Sequence, residues 1–317
     1  MGFSKENYGY VEGLLAKRRQ ESARVAEEHT LEVYAKCPAI KDIDRRLSGT
    51  GFALVRVAME KVDVEARVAA LKEENLALQK ERRALLSSLG LPENYTDAVP
   101  TCPLCRDTGR AERGLCTCMK QMLIEAGYRS SGLGALLKKQ SFDNFTLRFY
   151  EGDALKYAEI ALASAKELAE SFEKTGRNLL FMGGTGLGKT HLSTAIAKRA
   201  IERGFDVVYE TAQNIIADFE HDRFKSGYGE TESRSAKYLE CDLLIMDDLG
   251  AELTNQFTVS ALYTIINTRI NLGKSMIVST NLGQKNLFER YDERITSRLF
   301  GEFDPFLFRG VDIRRQK

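Results

Sequence analysis

Gly183-Gly184-Thr185-Gly186-Leu187-Gly188-Lys189-Thr190 sets two glycines five apart and follows them with a lysine and a hydroxyl. Glycines let the backbone curl so that successive N–H groups point inward at phosphate oxygens, and a helix starting there adds positive potential. In such a cradle Lys189 reaches the terminal phosphates of ATP and Thr190 places its hydroxyl on Mg2+; His191 is counted with the nucleotide-binding residues. A second element is Leu243-Leu244-Ile245-Met246, which ends in Asp247-Asp248. A carboxylate at a strand end beside the loop holds Mg2+, the role given to Asp247, while Asp248 orients or deprotonates the attacking water. A third apolar run, 276–280, ends at Asn281, which either stands between the γ-phosphate and that water or simply forms a turn. Arg294 and Arg298 stand four apart and share one helix face. Such a face either carries surface ion pairs with Asp292 or Glu293, or offers arginine to a neighbouring subunit's γ-phosphate.

A separate chemistry lies upstream. Cys102, Cys105, Cys116 and Cys118 supply four thiols within 17 residues, and Gly109 and Gly114 let the chain turn back between the pairs. Zn2+ takes four tetrahedral thiolates, and a site closed by four sulfurs has no open position for catalysis. Structural zinc is the expectation, with redox thiols or an iron–sulfur cluster as alternatives. Arg106, Arg110, Arg113 and Lys120 make this segment basic, either for contact with DNA or an acidic partner or as a solvated face.

These groups need elements to position them. Before residue 100 the chain is rich in Glu, Ala, Lys and Arg and reads as helix over 5–36, closed by Cys37-Pro38, and again over 52–89. Val57, Val64, Leu71, Leu78 and Leu85 recur every seventh residue, which predicts an antiparallel hairpin with 5–36. That region, 1–98, either docks a partner or merely presents a surface; the cysteine module takes 99–135. From 140 to 317 short apolar runs at 178–182, 206–209, 242–247 and 275–280 alternate with helical stretches, the pattern of a parallel sheet covered by helices. Hydrophobic content of 43% and charged content of 29% exclude a disordered chain. A net charge of +1 gives no global pull toward nucleic acid; the one basic stretch is 100–140, with 7 Lys and Arg against 3 Asp and Glu. No apolar run approaches the ~20 residues of a membrane span and no leader is visible, so the expected compartment is the cytoplasm.

Phe142-Asp143-Asn144-Phe145, the glycine loop with His191-Leu192, Asp247-Asp248-Leu249-Gly250, Ser279-Thr280-Asn281 and Glu293 through Leu299 together resemble the AAA+ ATPases of the DnaC/DnaI-type bacterial helicase loaders. The transposase-helper ATPase IstB is a close relative of that group. The resemblance covers roughly 140–317. It implies an AAA+ P-loop ATPase domain with a central parallel sheet, the phosphate-loop strand central in it, preceded by an all-α hairpin and a small zinc module. It also implies ATP-dependent self-association with Arg298 as a finger in trans and Arg294 as its helper. An extra helix at about 211–227 is implied too, whose Arg223 and Lys225 would line a path for single-stranded DNA. The partner it implies is a hexameric DnaB-type replicative helicase, loaded onto single-stranded DNA. The alternative is an IstB-like helper acting on duplex DNA, a group with a short N-terminal domain lacking zinc. Asp-Asp replaces the more general Asp-Glu, which leaves the strength of hydrolysis open. Nineteen residues follow Arg298, too few for a full C-terminal lid and its second arginine sensor.

Overall fold

The computed structural model describes residues 3–60, 63–112, 114–225 and 233–316, apart from the side chains of 173–175 and 225. It forms two compact units, Glu12–Cys118 and Met119–Lys317, the second including the residues up to Val11.

In the first unit, α1 (Lys5–Lys36) is followed at once by α2 (Pro38–Glu60) and then by α3 (Val64–Ser88). Pro38 opens α2 at a position where its missing N–H costs nothing. The hairpin differs from the expected one. Its arms are α2 and α3, antiparallel, tied by Arg82 to Asp44 at 2.6 Å and by Arg46 to Glu74 at 2.6 Å. The 52–89 stretch is therefore two helices, with Asp63 in the left-handed region (φ 44) before α3. The heptad positions do not make one seam: Val57 and Leu78 are buried, whereas Val64 is exposed. Gly49 and Gly51 lie inside α2, where burial of Ile40, Ile43 and Val57 outweighs their weak helix propensity. The end of α1 joins the end of α3 through Val33, Ile40 and Leu86. The cysteine segment adds a small antiparallel ribbon, β1 (Arg110–Ala111) with β2 (Gly114–Leu115).

In the second unit, α4 (Thr117–Ser130) and α6 (Gly152–Thr175) precede the sheet, with the single turn α5 (Leu136–Lys139) between them. Then come β3 (Leu179–Gly183), α7 (Lys189–Glu202), β4 (Val207–Thr211), α8 (Ala212–Lys225), α9 (Ala236–Glu240), β5 (Leu243–Leu249), α10 (Gln256–Asn271), β6 (Ser275–Thr280), α11 (Gln284–Arg290), α12 (Glu293–Gly301) and β7 (Asp304–Phe308). The sheet order is β4-β5-β6-β3-β7 and every pairing is parallel. The phosphate-loop strand β3 is thus interior, between β6 and β7, while the middle position belongs to β6.

Two layers of helix cover this sheet because its strands are apolar on both faces. Leu179, Phe181 and Ile245 face α6 and α7, meeting Ala165, Leu168, Leu192 and Ile196. Leu180, Met246 and Val278 face the other way, onto Ile215, Leu262, Ile265 and Leu299 of α8, α10 and α12. One charge is folded into this second layer. Arg269 of α10 is fully buried and donates to the carbonyl oxygens of Tyr238, Cys241, Asp242 and Ser275 at 2.7–3.2 Å. It pins the starts of β5 and β6 to the helix. The extra helix expected near 211–227 is α8; Arg223 lies over the Phe257 ring at 5.2 Å, while the side chain of Lys225 and residues 226–227 fall outside the described residues.

Candidate nucleotide and metal sites

At the carboxyl ends of β3, β5 and β6 the glycine loop borders a cavity of about 440 Å³. Open α/β sheets hold ligands at such a place. Gly188, the last residue before α7, has φ 91, and a Cβ there would lie 2.6 Å from the Tyr150 hydroxyl and 3.0 Å from Phe145. Tyr150 in turn donates to the Leu187 carbonyl at 2.8 Å and so braces the loop from outside.

Lys189 is only 6% exposed. Its Nζ donates to the carbonyls of Gly183 (2.6 Å) and Gly184 (2.8 Å) and to Asn281 Oδ1 (2.8 Å). Burial lowers its pKa, the charges of Asp247 and Asp248 oppose that, and Arg314 adds to it. Asp247 gathers three hydroxyls: Thr190 at 3.2 Å and Tyr209 on Oδ2, and Ser279 on Oδ1. Burial, followed by the charge of Asp247, pushes the Tyr209 phenol above its usual value, so that hydroxyl stays protonated and donates. Hard oxygens on Thr190 and Asp247, converging beside a phosphate cradle, are the donor set that suits Mg2+.

Asp248 has φ 55, unusual for a residue with a side chain, at the irregularity in the β5–β6 pairing between Met246 and Leu249. Bulges of this kind re-aim side chains next to active sites. Here the bulge turns Asp248 outward into the cavity, where it accepts from Asn281 Nδ2 at 3.2 Å. Thr185, Gly186, Leu187, Gly188, Lys189, Thr190, His191, Asp248 and Asn281 all line that cavity. His191 also reaches sideways, its Nε2 lying 3.0 Å from the Ser141 carbonyl and 2.9 Å from Asn144 Oδ1.

Arg294 and Arg298 do not line this cavity. They project from α12, capped by Asp292, and both guanidinium groups lie over the ring of Tyr263, at 5.3 and 4.7 Å. Arg298 also donates to Asn267 at 3.1 Å, and Arg294 pairs with Asp292 at 2.9 Å.

Several residues here carry no signal in the local sequence. Tyr209 and Ser279 reach Asp247 from neighbouring strands, a relation that only strand register reveals. The same holds for the segment after β7. The Ile313 N–H donates to the Gly186 carbonyl at 3.0 Å, and Arg314, paired with Asp312 at 3.0 Å, lines the cavity.

In the other unit the sulfurs of Cys102, Cys105, Cys116 and Cys118 all lie within 4.8 Å of one another. Cys102 and Cys116 are 3.8 Å apart and Cys105 and Cys118 3.4 Å. A tetrahedron with Zn–S bonds of about 2.3 Å has edges of about 3.8 Å, so the four sulfurs fit such an ion. Asp107, wholly buried, accepts the N–H groups of Thr101 (2.7 Å) and Cys102 (3.0 Å) and holds the first knuckle closed. Arg106 and Arg110 are exposed, as is Lys120; Arg113 lies outside the described residues.

A parallel α/β/α unit with this loop, this lysine and a strand-end aspartate hydrogen-bonded to Thr190 defines a P-loop ATPase of the AAA+ kind. The model for the family "IstB-like ATP binding protein" matches residues 133–299, more than half the chain, and the chain belongs to that family. It is 28% identical over 181 residues to YdaV of Escherichia coli (strain K12), covering 57% of this chain and 69% of that protein. It is 27% identical over 181 residues to the replicative helicase loader DnaC of Buchnera aphidicola subsp. Baizongia pistaciae, covering 57% and 71%. Among solved structures, the DnaC helicase loader aligns over 55% of this chain and 98% of that one, with 21% identity and a TM-score of 0.47. The expected kinship with DnaC-type and IstB-type ATPases is met. No helix among the described residues is long and apolar enough to cross a membrane.

Proposed function

We propose that this ATPase loads a hexameric DnaB-type replicative helicase onto single-stranded DNA in the cytoplasm. The observation that carries its motor half is the convergence of Lys189, Thr190, Asp248 and Asn281 around one cavity, with Asp247 hydrogen-bonded to Thr190 behind them. When bound there, Mg2+ would neutralise charge on the terminal phosphates, held by Thr190 and by Asp247 through its water shell. Asp248 faces the space where an attacking water belongs, and Asn281 bridges it to Lys189. Arg298, with Arg294 beside it, lies off its own chain's cavity and suits a role at a neighbouring subunit's nucleotide, which makes hydrolysis a property of the self-associated form. Arg223 on α8 lines the path for DNA.

The loading half rests on the similarity to a protein named replicative helicase loader and on the region ahead of the ATPase. In this reading residues 1–98 bind the partner, 99–135 hold a zinc module that folds on its metal, its residues from Met119 on already belonging to the compact unit of the ATPase, and 140–317 are the ATPase. The test is capture of the host's replicative helicase by the full chain, with and without a zinc chelator, alongside ATP turnover with and without single-stranded DNA. Metal-dependent retention of the helicase supports the reading; its absence from the captured proteins overturns it. The family match favours a second reading, an IstB-like helper acting on duplex DNA, which capture of a transposase would establish instead.

A further inference from the structure

β4 ends the sheet on one side, and its outer edge is met by the joint at 131–133. The Tyr209 N–H donates to the Ser131 carbonyl at 2.7 Å. Gly132 sits at φ 80, and a Cβ there would come within 2.5 Å of the Tyr209 carbonyl oxygen. The joint therefore lies flush against the strand only because residue 132 has no side chain. It is also firmly held. Ser131 is fully buried, its hydroxyl donates to the Tyr128 carbonyl at 3.0 Å and accepts from the Leu133 N–H at 3.3 Å. Leu133 and Leu137 enter the same apolar cluster as Leu192 and Ile196 of α7.

The residue gripped from outside by this joint is the one whose hydroxyl reaches inward to Asp247. Tyr209 shares Oδ2 of that carboxylate with Thr190, while Ser279 holds Oδ1. Partners that orient a metal-holding carboxylate typically account for about 10- to 100-fold in metal affinity or activity.

We propose that Tyr209 is a positioning residue for the magnesium-holding carboxylate, and that the joint at 131–133 sets its position. How the chain enters the ATPase unit then tunes metal affinity at the nucleotide. The inference rests on Asp247 being the residue that holds the metal.

The test uses the full chain and two readouts: the Mg2+ concentration giving half-maximal ATP turnover, and Mn2+ binding to the ADP complex by electron paramagnetic resonance. Tyr209→Phe should raise both midpoints about tenfold and leave fluorescent-nucleotide binding in EDTA unchanged. Leu133→Ala, which loosens the joint and changes no residue of β4, should shift the midpoints in the same direction. In the Tyr209→Phe background that second shift should vanish. Unchanged midpoints in Tyr209→Phe overturn the positioning role. A Leu133→Ala shift of equal size in both backgrounds overturns the link to the joint. Asp247→Asn is the control: metal affinity untouched by that substitution sinks the underlying reading rather than this inference.

Discussion

Gly188→Ala puts the geometry of the phosphate loop to a quantitative test. At φ 91 the new residue is held in a region that costs a side-chain-bearing residue about 1–2 kcal/mol. Its Cβ, 2.6 Å from the Tyr150 hydroxyl, drives that group off the Leu187 carbonyl, for about 1 kcal/mol more. If both fall on the conformation that binds phosphate, ADP affinity drops by roughly 30- to 150-fold, at tenfold per 1.4 kcal/mol. Tyr150→Phe alone removes the same hydrogen bond and should cost only about 1 kcal/mol. The double variant should therefore bind about 1 kcal/mol better than the two costs added together, since the colliding oxygen is gone. Titration with a fluorescent ADP analogue across the four proteins measures this. Strict additivity would show that the hydroxyl is not what the alanine meets, and normal binding by Gly188→Ala would refute the whole account.

Arg298→Ala should bind ATP normally but turn it over ~10³-fold more slowly, and recover turnover when mixed with Lys189→Ala subunits. Normal hydrolysis by the arginine variant alone would remove Arg298 from the mechanism. Arg269→Lys should lower stability to denaturant by about 3 kcal/mol, because a single ammonium replaces a planar fork whose charge is buried; an unchanged midpoint would contradict that reading. Asp206 has its pKa raised to about 6, chiefly by burial and then by the charges of Asp242 and Glu6. Since the folded state binds that proton more tightly, the carboxyl begins to destabilise the fold above about pH 4 and its full penalty is present above about pH 6. Asp206→Asn should accordingly raise the melting temperature above pH 6 and change nothing below pH 4. Finally, Cys105→Ser or a chelator should reduce the zinc content and selectively expose 99–118 to protease, while ADP still binds; loss of nucleotide binding would argue against separate roles for the two sites.

What the sequence revealed was what neighbours along the chain could spell out. The glycine loop, the two aspartates and the four cysteines each sit within a short stretch, and their chemistry follows from local spacing. The strands of the sheet were readable because β6 is buried from end to end and β5 everywhere but at Asp248. β7 escaped notice: Pro305 and Asp304 argue against a strand, yet an edge position beside β3 tolerates both. Gly49 and Gly51 suggested a helix start after them, but the contacts of Ile40 and Ile43 carry α2 straight through. Tyr209 and Ser279 reach Asp247 through strand register, and Arg314 reaches the cavity on a returning segment, relations that no window of sequence contains. The burial of Arg269 has no local signature, because its four carbonyl partners come from two other stretches of the chain, 238–242 and Ser275.

The ammonium group of Lys189 has one further consequence. Three oxygens already surround it, two from the backbone where β3 ends and one from Asn281, so its hydration shell was surrendered when the chain folded. An arriving phosphate exchanges one oxygen neighbour for another and strips little water from the cation. The steep dehydration cost that opposes most ion pairing is thereby moved out of ligand capture and into the stability of the protein itself.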